Sequence, residues 1–281
     1  MNTLQELYLN AQKELENIYS IREIQTLNQL ISTEILGLSI IDTHIKKNEN
    51  LDFLTIEKFT KTIAELKTNK PIQYILGETY FADLRFKVNS STLIPRPETQ
   101  ELIDWCKEYT KETDQILDIG TGTGIIAISL AHAFSEAKVE AIDISEIACL
   151  TAQENAIINK VKVEFSIKDI LNFENHTWNN YDIIISNPPY IKEEEKENMH
   201  KNVLDFEPHT ALFVSNNAPL LFYRQIAIFG QKYLKKNAYL FFEINEQLGK
   251  ETVALLETFN YKEIELRKDF YGRDRMIKAK K

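Results

Sequence analysis

The sequence predicts an α/β protein: a doubly wound, mostly parallel sheet of seven strands, preceded by a small helical domain and a β-hairpin connector. Three observations carry this expectation. Apolar residues recur at helical spacing over roughly the first 70 residues, short apolar runs alternate with helical stretches from Gln115 onward, and a glycine-rich turn follows the first of those runs. The expected divisions are a helical domain over 1–73, a hairpin linker over 74–95 and the α/β domain over 96–281.

Leu4, Leu7, Tyr8, Ala11, Leu15 and Ile18 fall on one face of a first helix. Ser20-Ile21-Arg22-Glu23 has the spacing of a capping box and opens a second, carried by Ile24, Leu27, Leu30 and Ile31 and closed by Gly37. Ile56, Phe59, Ile63 and Leu66 mark a third, stopped at Asn69-Lys70-Pro71 because proline cannot continue a helix. These stripes are read as packing against one another. Leu84, Phe86 and Val88 alternate as in a half-buried strand, with Leu93-Ile94-Pro95 as the expected hairpin partner. Strands are then expected at 116–119, 139–143, 161–166, 181–186, 239–244, 264–266 and 275–278. Helices are expected at 125–133, 145–159, 220–234 and 246–259. Short apolar strands spaced by helices imply a parallel sheet covered on both faces.

Composition narrows the function. The 281 residues carry 33 Lys and Arg against 42 Asp and Glu, a net charge of −9, which offers no electrostatic footprint for duplex phosphates. No run approaches the ~18 apolar residues of a membrane helix, and Met1–Asn10 lacks the pattern of a signal peptide, so a cytoplasmic location is expected. Cys106 and Cys149 are far apart with no CxxC and read as buried free thiols. The five histidines are scattered, and none is assigned to catalysis or to a metal.

Asp118-Ile119-Gly120-Thr121-Gly122-Thr123-Gly124 lies where the first strand meets the first helix. Its glycines permit a tight turn and let a ligand approach the backbone at the carboxyl edge of the sheet. The same pattern also serves plain strand-to-helix packing. Its GxGxG spacing differs from the dinucleotide fingerprint, and it has no GK[ST], so it does not read as a phosphate cradle. Asp143 closes the second strand, where a carboxylate accepts hydrogen bonds from both hydroxyls of a ribose. Asp169, soon after the third, is placed to accept from the amino group of a base. Together these suit an adenosine ligand without phosphates, and S-adenosylmethionine fits that description.

Asn187-Pro188-Pro189-Tyr190 follows the fourth strand. Each proline fixes its own φ and holds the preceding residue extended, and neither donates a backbone hydrogen bond. The Asn187 side-chain oxygen and a neighbouring carbonyl then stand as a rigid pair of acceptors for a planar NH2 group, with the Tyr190 ring as a wall. Held near a sulfonium methyl, such a nitrogen is positioned for attack and its developing positive charge is stabilised. Catalytic roles therefore fall to Asn187, Pro188 and Tyr190.

At these residues the chain resembles the PrmC/HemK family of release factor glutamine methyltransferases, within the class I S-adenosylmethionine-dependent enzymes. Pro71-Ile72-Gln73-Tyr74-Ile75-Leu76-Gly77, Leu93-Ile94-Pro95-Arg96-Pro97-Glu98-Thr99, Ser186–Ile191, Glu207-Pro208 with Ala211-Leu212, and Asp274-Arg275 carry the likeness. The resemblance implies methylation of the side-chain amide nitrogen of the glutamine in the Gly-Gly-Gln motif of peptide chain release factors, with S-adenosylhomocysteine as the other product. It implies that Asp118, Gly120, Thr121, Gly122, Thr123, Gly124 and Asp143 bind the cofactor, with Asp169 and Ile170 near its adenine. Asn187 would touch cofactor and substrate, Pro188, Pro189 and Tyr190 would hold the glutamine, and the helical domain would grip the release factor. A monomer is expected, with no direct nucleic acid, no membrane and no metal. Gln100 stands where the family often has Glu, and Asn245 where glycine is common; neither is expected to touch the chemistry. Glu193–Glu197 reads as a solvated helix face, with a mobile rim over the substrate as the alternative. The rival reading, an adenine-N6 methyltransferase acting on nucleic acid, would call for a basic groove, whereas residues 71–281 carry 25 basic and 32 acidic groups.

Overall fold

The protein is described from a computed structural model covering residues 2–281. It forms two compact units, one of residues up to Gly77 together with 200–206, the other of 78–199 and 207–281.

The first unit holds α1 (Leu4–Leu15), α2 (Ile21–Leu30), α3 (Ile40–Ile45), α4 (Phe53–Leu66) and α5 (Ile72–Leu76). Leu7, Ala11 and Leu15 of α1 meet Ile24 and Leu27 of α2 and Phe59, Ile63 and Leu66 of α4 in one core, as the stripes predict. Ile18 lies past the end of α1 and is exposed. The capping box at Ser20 and Glu23 is present, and α2 runs into a π turn over Ile31–Ile35 before Gly37 takes a φ of 68°. Sequence periodicity misses α3 because Ile40, Ile41 and Ile45 all face solvent; a capping box between Ser39 and Asp42 closes its first turn. The helical region continues past residue 73 through α5, which ends at Gly77 in the left-handed conformation.

The second unit begins with β1 (Glu78–Phe81) and β2 (Leu84–Lys87), an antiparallel pair. Here the expected hairpin partner is corrected. The turn is made by Ala82 and Asp83, both at positive φ, the geometry of a two-residue hairpin, so β2 pairs backward with β1 and not forward with Leu93–Pro95. There follow α6 (Pro97–Lys107), β3 (Gln115–Ile119), α7 (Ile125–Ala133), β4 (Lys138–Asp143), α8 (Glu146–Ile158), β5 (Glu164–Ile167), β6 (Tyr181–Ser186) and β7 (Ile191–Lys192). After α9 (Lys201–Phe206), which belongs with the first unit, come α10 (His209–Leu212), β8 (Phe213–Val214), α11 (Leu221–Tyr233), β9 (Leu234–Glu243), α12 (Gly249–Thr258), β10 (Lys262–Lys268) and β11 (Asp274–Lys280). α6 is not among the expected helices; it has Pro97 in its first turn and buries Leu102, Ile103, Trp105 and Cys106.

The main sheet has seven strands in the order β10-β11-β9-β6-β3-β4-β5, with β11 antiparallel to both neighbours and the other adjacent pairs parallel. Alternate residues split between its faces. Leu117 and Ile119 of β3, Ile184 of β6 and Leu240 and Phe242 of β9 pack into one core with α11 and α12; Ile116, Ile183, Ile185 and Phe241 pack into the other with α6 and α7. Near-continuous apolar runs are what a sheet covered twice requires. The chain leaves β3 toward β4 on one side and returns to β6 on the other, so the carboxyl ends of β3 and β6 form a topological switch point, where sheets of this kind bind ligands.

Candidate active site

The turn after β3 takes its shape from three positive φ values, 76° at Gly120, 55° at Gly122 and 82° at Gly124. The Gly120 and Thr121 amides both donate to the Ile142 carbonyl, at 2.9 and 3.0 Å, which ties the turn to the end of β4. Gly124 caps α7 in a crowded space, since a Cβ there would lie 2.8 Å from the end of the Ile128 side chain and 3.0 Å from the Ala152 Cβ. Asp118 braces the turn from behind. Its Oδ2 accepts from the Thr121 hydroxyl (2.6 Å) and the Ala127 amide (3.2 Å), and burial pushes its pKa up to about 7 against these two bonds.

A cavity of about 390 Å³ opens over the switch point. Gly120, Thr121, Gly122 and Thr123 border it, as do Asp143, Asp169, Ile170, Asn187, Pro188 and Pro189. Three predicted site residues are not in its lining. Asp118 and Gly124 shape the turn from beneath, and Tyr190 lines a neighbouring cleft with Asn245, Arg273 and Arg275.

Asp143 holds one backbone amide on each carboxylate oxygen, Gly122 on Oδ2 and Ser145 on Oδ1, both at 2.9 Å. Burial raises its pKa, and those amides oppose the rise. Each oxygen keeps a lone pair for a further donor, which suits two vicinal hydroxyls. Asp169 caps the turn Ile170–Asn175, accepting from the Leu171 amide (2.8 Å) and the Asn172 side chain (2.6 Å), and so presents Ile170 and Leu171 to the cavity.

After β6, Ser186 donates to the Ile119 carbonyl (2.7 Å) and locks the two strand ends together. Asn187 Nδ2 donates to Thr99 Oγ1 at 3.4 Å, while Thr99 donates to Glu243 Oε2 at 2.7 Å. Tyr190 donates to Glu243 Oε1 at 3.1 Å, and its carbonyl accepts from Asn245 Nδ2, also at 3.1 Å. Burial raises the pKa of Glu243, opposed by the bonds from Thr99 and Tyr190. Asn245 therefore does touch the tetrapeptide, contrary to expectation, and it also donates to Glu195 at 2.9 Å. The acidic run is a 3-10 turn, Glu193–Asn198, in which Glu195 faces inward to Asn245 and the Lys192 amide, so it is not a uniformly solvated face.

Leu93, Pro95, Arg96, Thr99, Thr210, Ala211 and Phe213, none of them an expected site residue, also border the cavity. Two segments remote in sequence meet there: Arg96 pairs with the buried Glu207, which also accepts from the Ile94 amide. The signal was present in the two family-like segments, which composition could not place in space. Cys106 and Cys149 are free and buried, their thiols pushed up to about 12 and about 11 by that burial.

The cavity suits S-adenosylmethionine on its own chemistry, with bare backbone at Gly120 and Gly122, paired acceptors at Asp143 and apolar neighbours at Ile144 and Ile170. Among the described residues, no helix is long and apolar enough to cross a membrane.

Residues 99–207 match the Methyltransferase small domain model, and residues 6–77 match the PrmC N-terminal domain model. The chain is 48% identical over 270 residues to the release factor glutamine methyltransferase of Flavobacterium psychrophilum, covering 94% of each chain. It is 40% identical over 265 residues to that of Bacteroides thetaiotaomicron, covering 94% of this chain and 95% of the other. Among solved structures, a methyltransferase from Pyrococcus furiosus shares the fold at a TM-score of 0.54 and 16% identity, over 71% of this chain and 90% of that one. The chain is an S-adenosylmethionine-dependent methyltransferase. Because the identity to named relatives runs along nearly the whole length of both units, the chain belongs to the release factor glutamine methyltransferase family.

Proposed function

We propose that the enzyme methylates the side-chain amide nitrogen, N5, of the glutamine in the Gly-Gly-Gln motif of peptide chain release factors. The observation that carries the reading is the placement of Asn187 and Pro188 on the border of the cavity, with Asn187 Nδ2 turned to Thr99. When bound, S-adenosylmethionine would supply an electrophilic methyl on sulfur, with S-adenosylhomocysteine as the other product. Gly120, Thr121, Gly122 and Thr123 would hold it along the turn, Asp143 would accept from its ribose hydroxyls, and Asp169 and Ile170 would border its adenine.

The two hydrogens of the substrate NH2 are taken by Asn187 Oδ1 and the Pro188 carbonyl. An amide nitrogen is a poor nucleophile because its lone pair is delocalised, so orienting it in line with the methyl lowers the barrier by positioning. The same acceptors stabilise the charge that develops on nitrogen. The alkylated amide is strongly acidic and loses its proton without a dedicated base. Pro189 fixes the backbone, and Tyr190 faces the adjoining cleft, where the residues flanking the glutamine enter. The helical unit grips the release factor, and the enzyme works in the cytoplasm as a monomer, without nucleic acid or membrane.

Incubation with methyl-labelled cofactor, intact release factor and, separately, DNA or RNA tests this. Label on the release factor alone, placed on the glutamine by mass spectrometry, is expected; label confined to nucleic acid overturns it.

A further inference from the structure

We propose that Glu243, acting through Thr99, is the positioning residue that decides which end of the Asn187 carboxamide faces the substrate. This rests on the function proposed above. Glu243 closes β9 at 1% exposure and Thr99 lies in the first turn of α6 at 3%, so neither exchanges its partners with water.

A hydroxyl has one proton. That of Thr99 is directed to Glu243 Oε2 at 2.7 Å, leaving only lone pairs on Thr99 Oγ1 for Asn187. The carboxamide must then turn its NH2 end to Thr99, the bond found at 3.4 Å, and its Oδ1 end away from Thr99. The two ends of a carboxamide are alike in shape and opposite in hydrogen-bonding sense. Reversed, it would aim donors at the donors of the incoming amide, so shape alone does not secure the reaction and a fixed orientation does. The other carboxylate oxygen accepts from Tyr190, so a single buried acid constrains both ends of the tetrapeptide.

The test compares Thr99→Val, Thr99→Ser and Glu243→Gln, each in the native background and combined with Asn187→Ala, with release factor as substrate. Measured are kcat, the KM for cofactor and thermal melting. A misplaced acceptor costs on the order of 10- to 100-fold in rate, and Thr99→Val is expected to lower kcat by that amount, with Thr99→Ser restoring it to within about threefold. Combined with Asn187→Ala, Thr99→Val should lower kcat no further, because the relay acts only through Asn187. If Thr99→Val fails to fold, Thr99→Ala in the two backgrounds makes the same comparison, since Glu243→Gln would also disturb Tyr190. Equal, additive losses in both backgrounds, or no rescue by serine, would reduce the pair to structural support and overturn the inference. Absence of label on release factor with the unaltered enzyme defeats the proposed function, whereas normal methylation by Thr99→Val defeats only the relay.

Discussion

The turns after β3 and β6 stand side by side, joined by the Ser186 bond to Ile119, and a Cβ on Gly120 would lie 4.0 Å from the Asn187 carbonyl. They are made rigid in opposite ways. The first relies on positive φ at three glycines and on amides tied to the end of the next strand. The second relies on imino acids for its backbone and on distant residues for its side chains, with Thr99 lying 88 positions from Asn187 and 144 from Glu243. A turn built from glycine leaves the backbone bare for a ligand, whereas one built on a relay aims a side chain at a reacting atom.

Replacing Asn187 with Ala sharpens this contrast most. It should lower kcat by about 10²-fold, by analogy with the loss of one preorganised hydrogen-bonding group, while cofactor affinity measured by calorimetry changes little. Asp143→Ala should act the other way round, raising the cofactor dissociation constant by roughly 10- to 100-fold as hydrogen bonding to a charged acceptor, about 1.5–3 kcal/mol, is lost, with a smaller effect on single-turnover rate at saturation.

Asp118 tests the support beneath the glycine turn. Its folded pKa, about 7, lies above the ordinary value of 3.8, so the folded state holds the proton more tightly. The stability this contributes is complete below the unfolded pKa and is lost as pH rises through 7. Urea unfolding should show the native protein losing about 2–3 kcal/mol relative to Asp118→Asn between pH 5 and 8; a flat difference would mean the carboxyl titrates elsewhere. Gly124→Ala gives the smallest effect, about 1–2 kcal/mol of destabilisation from an unfavourable φ and the crowding by Ile128 and Ala152. A neutral result there would break the claim that the first turn depends on glycine.

Much of the α/β core was legible because β3, α7 and β6 each announce themselves by a contiguous pattern, and the capping residue Ser20 lies beside the helix it caps. What could not be read lacks a local signal. The solvent-facing isoleucines of α3 carry no stripe, and Leu84–Lys87 is compatible with a partner on either side until the turn at Ala82 and Asp83 chooses one. Tyr190 follows its prolines directly in sequence, yet its hydroxyl goes to Glu243 and it borders the neighbouring cleft in place of the cavity.

The layered sheet, the bare backbone at the turn's glycines and the restriction that Pro188 places on Asn187 are written in the order of residues, because φ preferences and the alternation of apolar residues act between near neighbours. Packing settles what faces what: that Arg96 meets Glu207, that Asn245 reaches Tyr190, and that Thr99 lies between Glu243 and Asn187. Hydrogen bonds between side chains far apart in sequence exist only once packing has brought them within about 3 Å and removed competing water.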